Sequence, residues 1–256
     1  MLKMRVIPTL LWKDVGLVKG IGFNSWRRVD SVLPAVKVYN MRQVDELILL
    51  DISATVNNKE PDYDSIKDFA KECSVPLTIG GGINNVEHIK NLLRAGADKV
   101  VINTAAYENP NIIKEASTIF GRQCIVAGID VRKNNGKYEC YSRCATKATG
   151  YDPVEWAQKM EQDGAGEIFL TSVERDGTMN GYDIELVKNV SSAVNVPVIA
   201  SGGAGKYEDS YEVISKGKAS AVAMASVFHF TEQTPLELKN YLMNRGILVR
   251  NVNIEQ

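Results

Sequence analysis

LTIGGGI, residues 77–83, is a short apolar run that ends in three glycines, and VIASGGAG, residues 198–205, repeats that pattern 121 positions later. Each is followed by a stretch of helical periodicity. Outward from this pair, other segments match at nearly the same offset. ELILLDISAT from Glu46 answers GEIFLTSVERDGT from Gly166, and KVVINTA from Lys99 answers AVAMASV from Ala221. RVIPTLLWKD from Arg5 answers CIVAGIDVRKN from Cys124. A repeat this long is too large for a solenoid module, because each copy holds four strand–helix units.

The strands read as Arg5–Leu11, Glu46–Asp51, Leu77–Ile79, Lys99–Ile102, Cys124–Asp130, Glu167–Thr171, Val198–Ala200 and Ala221–Ala223. Helical periodicity covers Ser31–Gln43, Tyr63–Cys73, Val86–Ala95, Asn111–Phe120, Pro153–Asp163, Ile184–Ala193, Tyr207–Ser215 and Pro235–Arg245. Strand–helix alternation implies a parallel sheet, and strands that are apolar throughout are covered on both faces. Eight units in 256 residues predict an α/β fold, a single (β/α)8 TIM barrel made of homologous half-barrels at about 1–120 and 121–248. Gly20–Ser31 and Arg132–Thr149 read as long loops, the second of them mobile, and Val249–Gln256 as a tail that frays.

Thirty basic against 31 acidic residues give a net charge of −1, which provides no field for nucleic acid or an anionic membrane surface. No apolar run reaches the length of a membrane span, and MLKMRVIP is too short and polar for a signal peptide. Cys73, Cys124, Cys140 and Cys144 are expected to be ordinary thiols in a reducing cytoplasm. No metal site and no cofactor is expected.

In such a barrel the chemistry sits at the C-terminal ends of the strands. The first half offers Gly80, Gly81 and Gly82, then Asn103 and Thr104; the second offers Asp176, Gly177, Gly202 and Gly203, then Ala225 and Ser226. Glycines after a strand turn backbone N–H groups toward an anion, and a following helix N-terminus adds its positive end. Two such cups suit a ligand with a phosphate at each end. The repeat also pairs Asp130 with Leu11, so one strand ends in a carboxylate where its twin ends in a side chain that carries no proton.

These residues resemble the HisF family, the cyclase subunits of imidazole glycerol phosphate synthase. The resemblance is carried by ADKVVINTAA, by KATGYDPVEWAQKMEQDGAGEIFLTSVERDGTMNGYD and by VPVIASGGAGKYED, and extends over nearly the whole chain. It implies a half-barrel duplication, a bisphosphorylated substrate (PRFAR) across the barrel mouth, and a HisH-like glutaminase subunit that feeds ammonia through the opposite face. It implies ring closure by two aspartates, of which one matches Asp130 and the other falls on Leu11. Asp14, three residues further on, is a weak substitute. Arg5, Glu46, Lys99 and Glu167 match the family's ammonia gate, and Asp98 and Gln123 its glutaminase interface. Lys19, Asp51, Thr171 and Ser201 match the substrate pocket. The first strand, IPTLLWKDVGLVK, is closer to HisF-like proteins of acetamidino-sugar modification in surface polysaccharides, where the ammonia passes to a separate sugar amidotransferase. Three functions follow as expectations: an ammonia-relaying barrel for amidino-sugar synthesis, a cyclase of histidine biosynthesis, or a non-catalytic scaffold for a phosphorylated metabolite.

Overall fold

The computed structural model describes residues 3–14 and 16–250. The chain runs β1 (Arg5–Lys13), β2 (Gly16–Ile21), β3 (Asn24–Asp30), α1 (Val32–Met41), β4 (Leu47–Asp51), α2 (Tyr63–Glu72), β5 (Leu77–Gly80), α3 (Val86–Ala95) and β6 (Lys99–Ile102). It continues through α4 (Thr104–Glu108), α5 (Ile112–Phe120), a 3-10 turn at Arg122–Cys124, β7 (Ile125–Asn134), β8 (Lys137–Ser142), β9 (Lys147–Ala148), α6 (Pro153–Gln162) and β10 (Glu167–Ser172). It ends with α7 (Ile184–Ser191), β11 (Val198–Ser201), α8 (Tyr207–Ser215), β12 (Ala221–Met224), α9 (Ser226–Phe230) and α10 (Pro235–Asn244).

Eight of these strands pair in parallel in the order β1-β4-β5-β6-β7-β10-β11-β12, and β12 closes on β1 with Arg5 beside Ala221. The result is a closed (β/α)8 barrel. Strand residues alternate between two apolar layers. Val6, Leu10, Leu49, Ile79 and Leu170 face the helices, where Val36, Ile89, Ile113, Trp156 and Leu238 cover them. Ile7, Ile48, Val101, Val126, Phe169, Ile199, Ala221 and Ala223 fill the barrel interior. No helix among the described residues is long and apolar enough to cross a membrane.

Local chemistry sets the helix boundaries. Asp152 caps α6 by accepting from the N–H groups of Val154 and Glu155, with Pro153 at the first helical position. Thr234 and Glu237 form a reciprocal capping box on α10. Gly96 ends α3 in the left-handed region at φ 111°.

Three expectations need correction. The two stretches read as loops are antiparallel hairpins, β2–β3 and β8–β9, each following the first strand of its half. Asn135–Gly136 makes the tight turn that leads from β7 into β8, with φ 49° and 81°, positive at both central positions as a hairpin turn of this kind requires. Short helices α4 and α9 begin where only polar strand ends were expected. The tail does not fray at its start, because Val249 is buried and bridges Met4, whose N–H donates to Leu248 O at 2.7 Å. Residues 251–256 lie outside the described residues.

Candidate active site

All the residues expected at the strand ends line one cavity at the C-terminal mouth of the barrel. Both cups, Lys19, Asp51, Thr171, Ser201, Asp130 and Leu11 are in its wall. The two cups share a backbone geometry. Gly81 has φ 104° and its missing Cβ would fall 2.1 Å from Asp51 O; 121 residues later Gly202 has φ 90° and a Cβ would fall 2.5 Å from Ser172 O. Only glycine combines that conformation with that approach. The next strand end then opens a five-residue helix, α4 after Asn103 and α9 after Ala225, whose first N–H groups have no intrahelical partner.

The hairpins cross over. The one from the first half lies on the second-half cup: Lys19 pairs with Asp176 at 2.6 Å, Gly22 N–H donates to Asp176 O at 2.9 Å, and Arg27 stacks on Phe230. The other lies on the first-half cup: Arg143 N–H donates to Thr104 Oγ1 at 3.0 Å, the Arg143 guanidinium reaches Glu108, and the Cys144 thiol donates to Ile52 O. Residues 143–145 hold φ 51°, 54° and 58°, a left-handed run without glycine. Such residues cost on the order of 1–2 kcal/mol each, and the latch contacts hold them. Gly82 N–H is also engaged, with Thr55 Oγ1 at 3.1 Å. The second hairpin therefore covers one side of the first cup and the Gly82 N–H is already engaged, whereas the sequence suggested free N–H groups; the cup still opens into the cavity. Asp176 is engaged by the protein itself: its carboxylate pairs with Lys19, its N–H donates to Ser172 O at 3.0 Å, and its carbonyl accepts from Gly22.

Asp130 receives a hydrogen bond from Asn103 Nδ2 at 2.9 Å. Burial, reinforced by the charge of Asp176 and opposed by Arg132, raises its pKa from 3.8 to about 7. The folded chain thus keeps a proton that the unfolded chain releases near pH 4, and stability declines as pH rises through that interval. Asp130→Asn is expected to be more stable than the wild type above pH 7, by about 2 kcal/mol after allowance for the open cavity, and level with it below pH 4. Urea titrations at the two pH values would check this; an equal difference at both would refute it.

Leu11 is nearly buried, beside Leu50 on β4 and Val18 on β2. Trp12 turns the other way, into the helix-facing layer against Phe69, and its indole N–H donates to Asp14 O at 2.7 Å. Asp14 is exposed at the turn and is absent from the cavity wall, so it does not stand in for the missing acid. Asp51 uses one carboxylate oxygen to accept from Ser53 N, Ser53 Oγ and Ala54 N, which fixes the turn after β4.

Sequence reasoning missed Thr9, Phe23, Trp26, Thr55 and Cys144 in the cavity wall. Four of them reach it from the hairpins or the loop after β4, and only a hairpin assignment at Asn135–Gly136 could have pointed to Cys144. That thiol is pushed up to about 12 by burial and by the charges of Asp130 and Asp51, so it stays protonated.

At the opposite face, four charges alternate in sign. Arg5 Nη1 bonds Glu46 at 2.7 Å and Glu167 at 2.9 Å, while Lys99 Nζ bonds Glu46 and reaches Glu167 at 3.2 Å. Exposed Asp98 and Gln123 flank this ring at the starts of β6 and β7, and Asp98 also accepts from Leu77 N–H at 2.8 Å. Lys99, Gln123 and Glu167 share a shallow recess there.

The histidine biosynthesis protein family matches residues 5–234, from the first residue of β1 to beyond the last barrel strand. The chain is 46% identical over 253 residues to the imidazole glycerol phosphate synthase subunit HisF of Prochlorococcus marinus subsp. pastoris, covering 98% of this chain and 99% of that protein. It is 44% identical over 250 residues to the HisF subunits of Chlorobaculum parvum and Natranaerobius thermophilus, covering 98% of this chain and 100% of each. A match through all eight barrel strands makes the chain a member of the histidine biosynthesis protein family and, within it, of the HisF proteins.

Proposed function

We propose that this barrel is the ammonia-accepting subunit of a glutamine amidotransferase complex. A HisH-like glutaminase docks at the Asp98–Gln123 face, ammonia enters through the Arg5–Glu46–Lys99–Glu167 ring, and the two cups hold a phosphorylated ligand. We infer further that the ammonia passes to a separate amidotransferase that builds an acetamidino group on a sugar. The observation that carries this finer reading is Leu11: a buried hydrocarbon stands in the cavity wall where ring closure calls for a second acid. Asp130, raised to about 7, has the carboxyl chemistry for proton transfer near neutral pH, and Leu11 gives it no partner.

A second reading has specific support. The relatives named above are all subunits of imidazole glycerol phosphate synthase, at 44–46% identity over nearly full length. They favour a cyclase that converts PRFAR and ammonia to imidazole glycerol phosphate and an aminoimidazole carboxamide nucleotide. The names favour the cyclase; the residue at position 11 favours the relay. The separating experiment is turnover of PRFAR by the wild-type chain with ammonium salt. The relay reading expects no product above background, whereas a rate of about 1 s⁻¹ or more, ordinary for an enzyme, would establish the cyclase.

A further inference from the structure

The geometry points to an ammonia-binding site at Thr9, between the apolar interior of the barrel and the mouth cavity. This rests on the proposal that ammonia crosses the barrel. Odd-numbered residues of β1 face inward in sequence: Arg5 in the charged ring, Ile7 in the interior apolar layer, then Thr9 and Leu11 in the cavity wall. Thr9 is 6% exposed, and its Oγ1 has no hydrogen-bond partner among the described residues. Its register neighbour on β4 is Ile48, and the apolar residues that share the cavity wall with it include Leu50, Val101, Phe169 and Ala223. A hydroxyl so placed is costly to leave unsatisfied.

The chemistry of the partner is narrow. It has to be small, because the hydroxyl sits at the base of the cavity. It has to be neutral, because a cation arriving from the ring would lose its hydration in the Ile7–Ile48–Phe169 layer. It has to donate or accept, as the hydroxyl does either. Ammonia meets all three conditions and arrives from the side on which the proposed glutaminase docks. Thr9 then holds ammonia at the exit of the apolar passage, oriented toward the cavity.

The test is a methyl NMR titration of the chain with ammonium chloride above ammonia's own pKa, beside potassium chloride at equal ionic strength. Methyl signals of Ile48 and Leu11 are expected to shift saturably with ammonia alone. Thr9→Ser keeps the response, and the isosteric Thr9→Val weakens it about tenfold or more. Shifts that do not saturate, that appear equally with potassium chloride, or that survive in Thr9→Val would overturn the site and leave a hydroxyl that water alone satisfies. The titration needs neither glutaminase nor acceptor. Binding without transfer in the assembled complex would overturn the relay and spare the site.

Discussion

Leu11→Asp is expected to turn over PRFAR with ammonium salt at least about 10²-fold faster than the wild type. A positioned acid or base contributes typically about 10²–10⁴-fold, or roughly 3–5 kcal/mol of barrier. The rest of the site is in place. Asp130 is held by Asn103 and titrates near neutrality, Lys19 is anchored by Asp176, and both cups keep their glycine geometry. Position 11 already lies on the inward face of β1, so an aspartate there enters the same cavity as Asp130 without a change of backbone. Leu50 and Val18 beside it disfavour the ionised form, which would raise the new carboxyl toward the range of a useful acid. A wild type that is already active would refute the argument from Leu11. A folded variant that binds a bisphosphorylated analogue yet stays silent would mean that the hairpins, rather than residue 11, now block ring closure.

Most of the architecture was legible because periodicity reports burial. Strands β6 and β12 began where the sequence put them, and α3 and α8 matched at both ends, since each carries one apolar stripe bounded by a cap or a glycine. The cavity residues followed from one rule, that strand C-termini face the mouth, and that rule collected both cups and Asp130. The hairpins escaped because their strands carry charge. β3 reads NSWRRVD and is mostly exposed, so it shows neither alternation nor a continuous apolar run. Its pairing comes from β2 and from the latch on Asp176 and Phe230, contacts more than a hundred residues distant. Thr9 escaped for a different reason. A threonine in a strand is ordinary, and only the inward register of β1 makes its hydroxyl conspicuous.

Glu46→Ala is expected to lower the unfolding free energy by about 3–5 kcal/mol, the penalty for breaking a buried pair while leaving its partners charged. Glu46 is 2% exposed and bonds both cations of the ring. Without it, Glu167 alone faces Arg5 and Lys99, and two cations share one carboxylate at the barrel floor. The matched double variant Glu46→Met with Lys99→Met removes one charge of each sign and fills the space with apolar atoms. It is expected to recover most of the loss, because replacement of a whole buried pair by hydrocarbon is near neutral. Urea unfolding of the three proteins measures both effects. A loss below about 0.5 kcal/mol for Glu46→Ala would place the ring among exposed pairs of little energetic weight. The same proteins report on function. A ring that gates ammonia should couple glutamine hydrolysis to transfer less tightly once Glu46 is gone. If the double variant restores stability but not coupling, then the alternating charges were retained for passage rather than for the fold. Four charges at the floor of a barrel whose interior is mostly apolar are costly to bury, and a selected passage is a physical reason for keeping them.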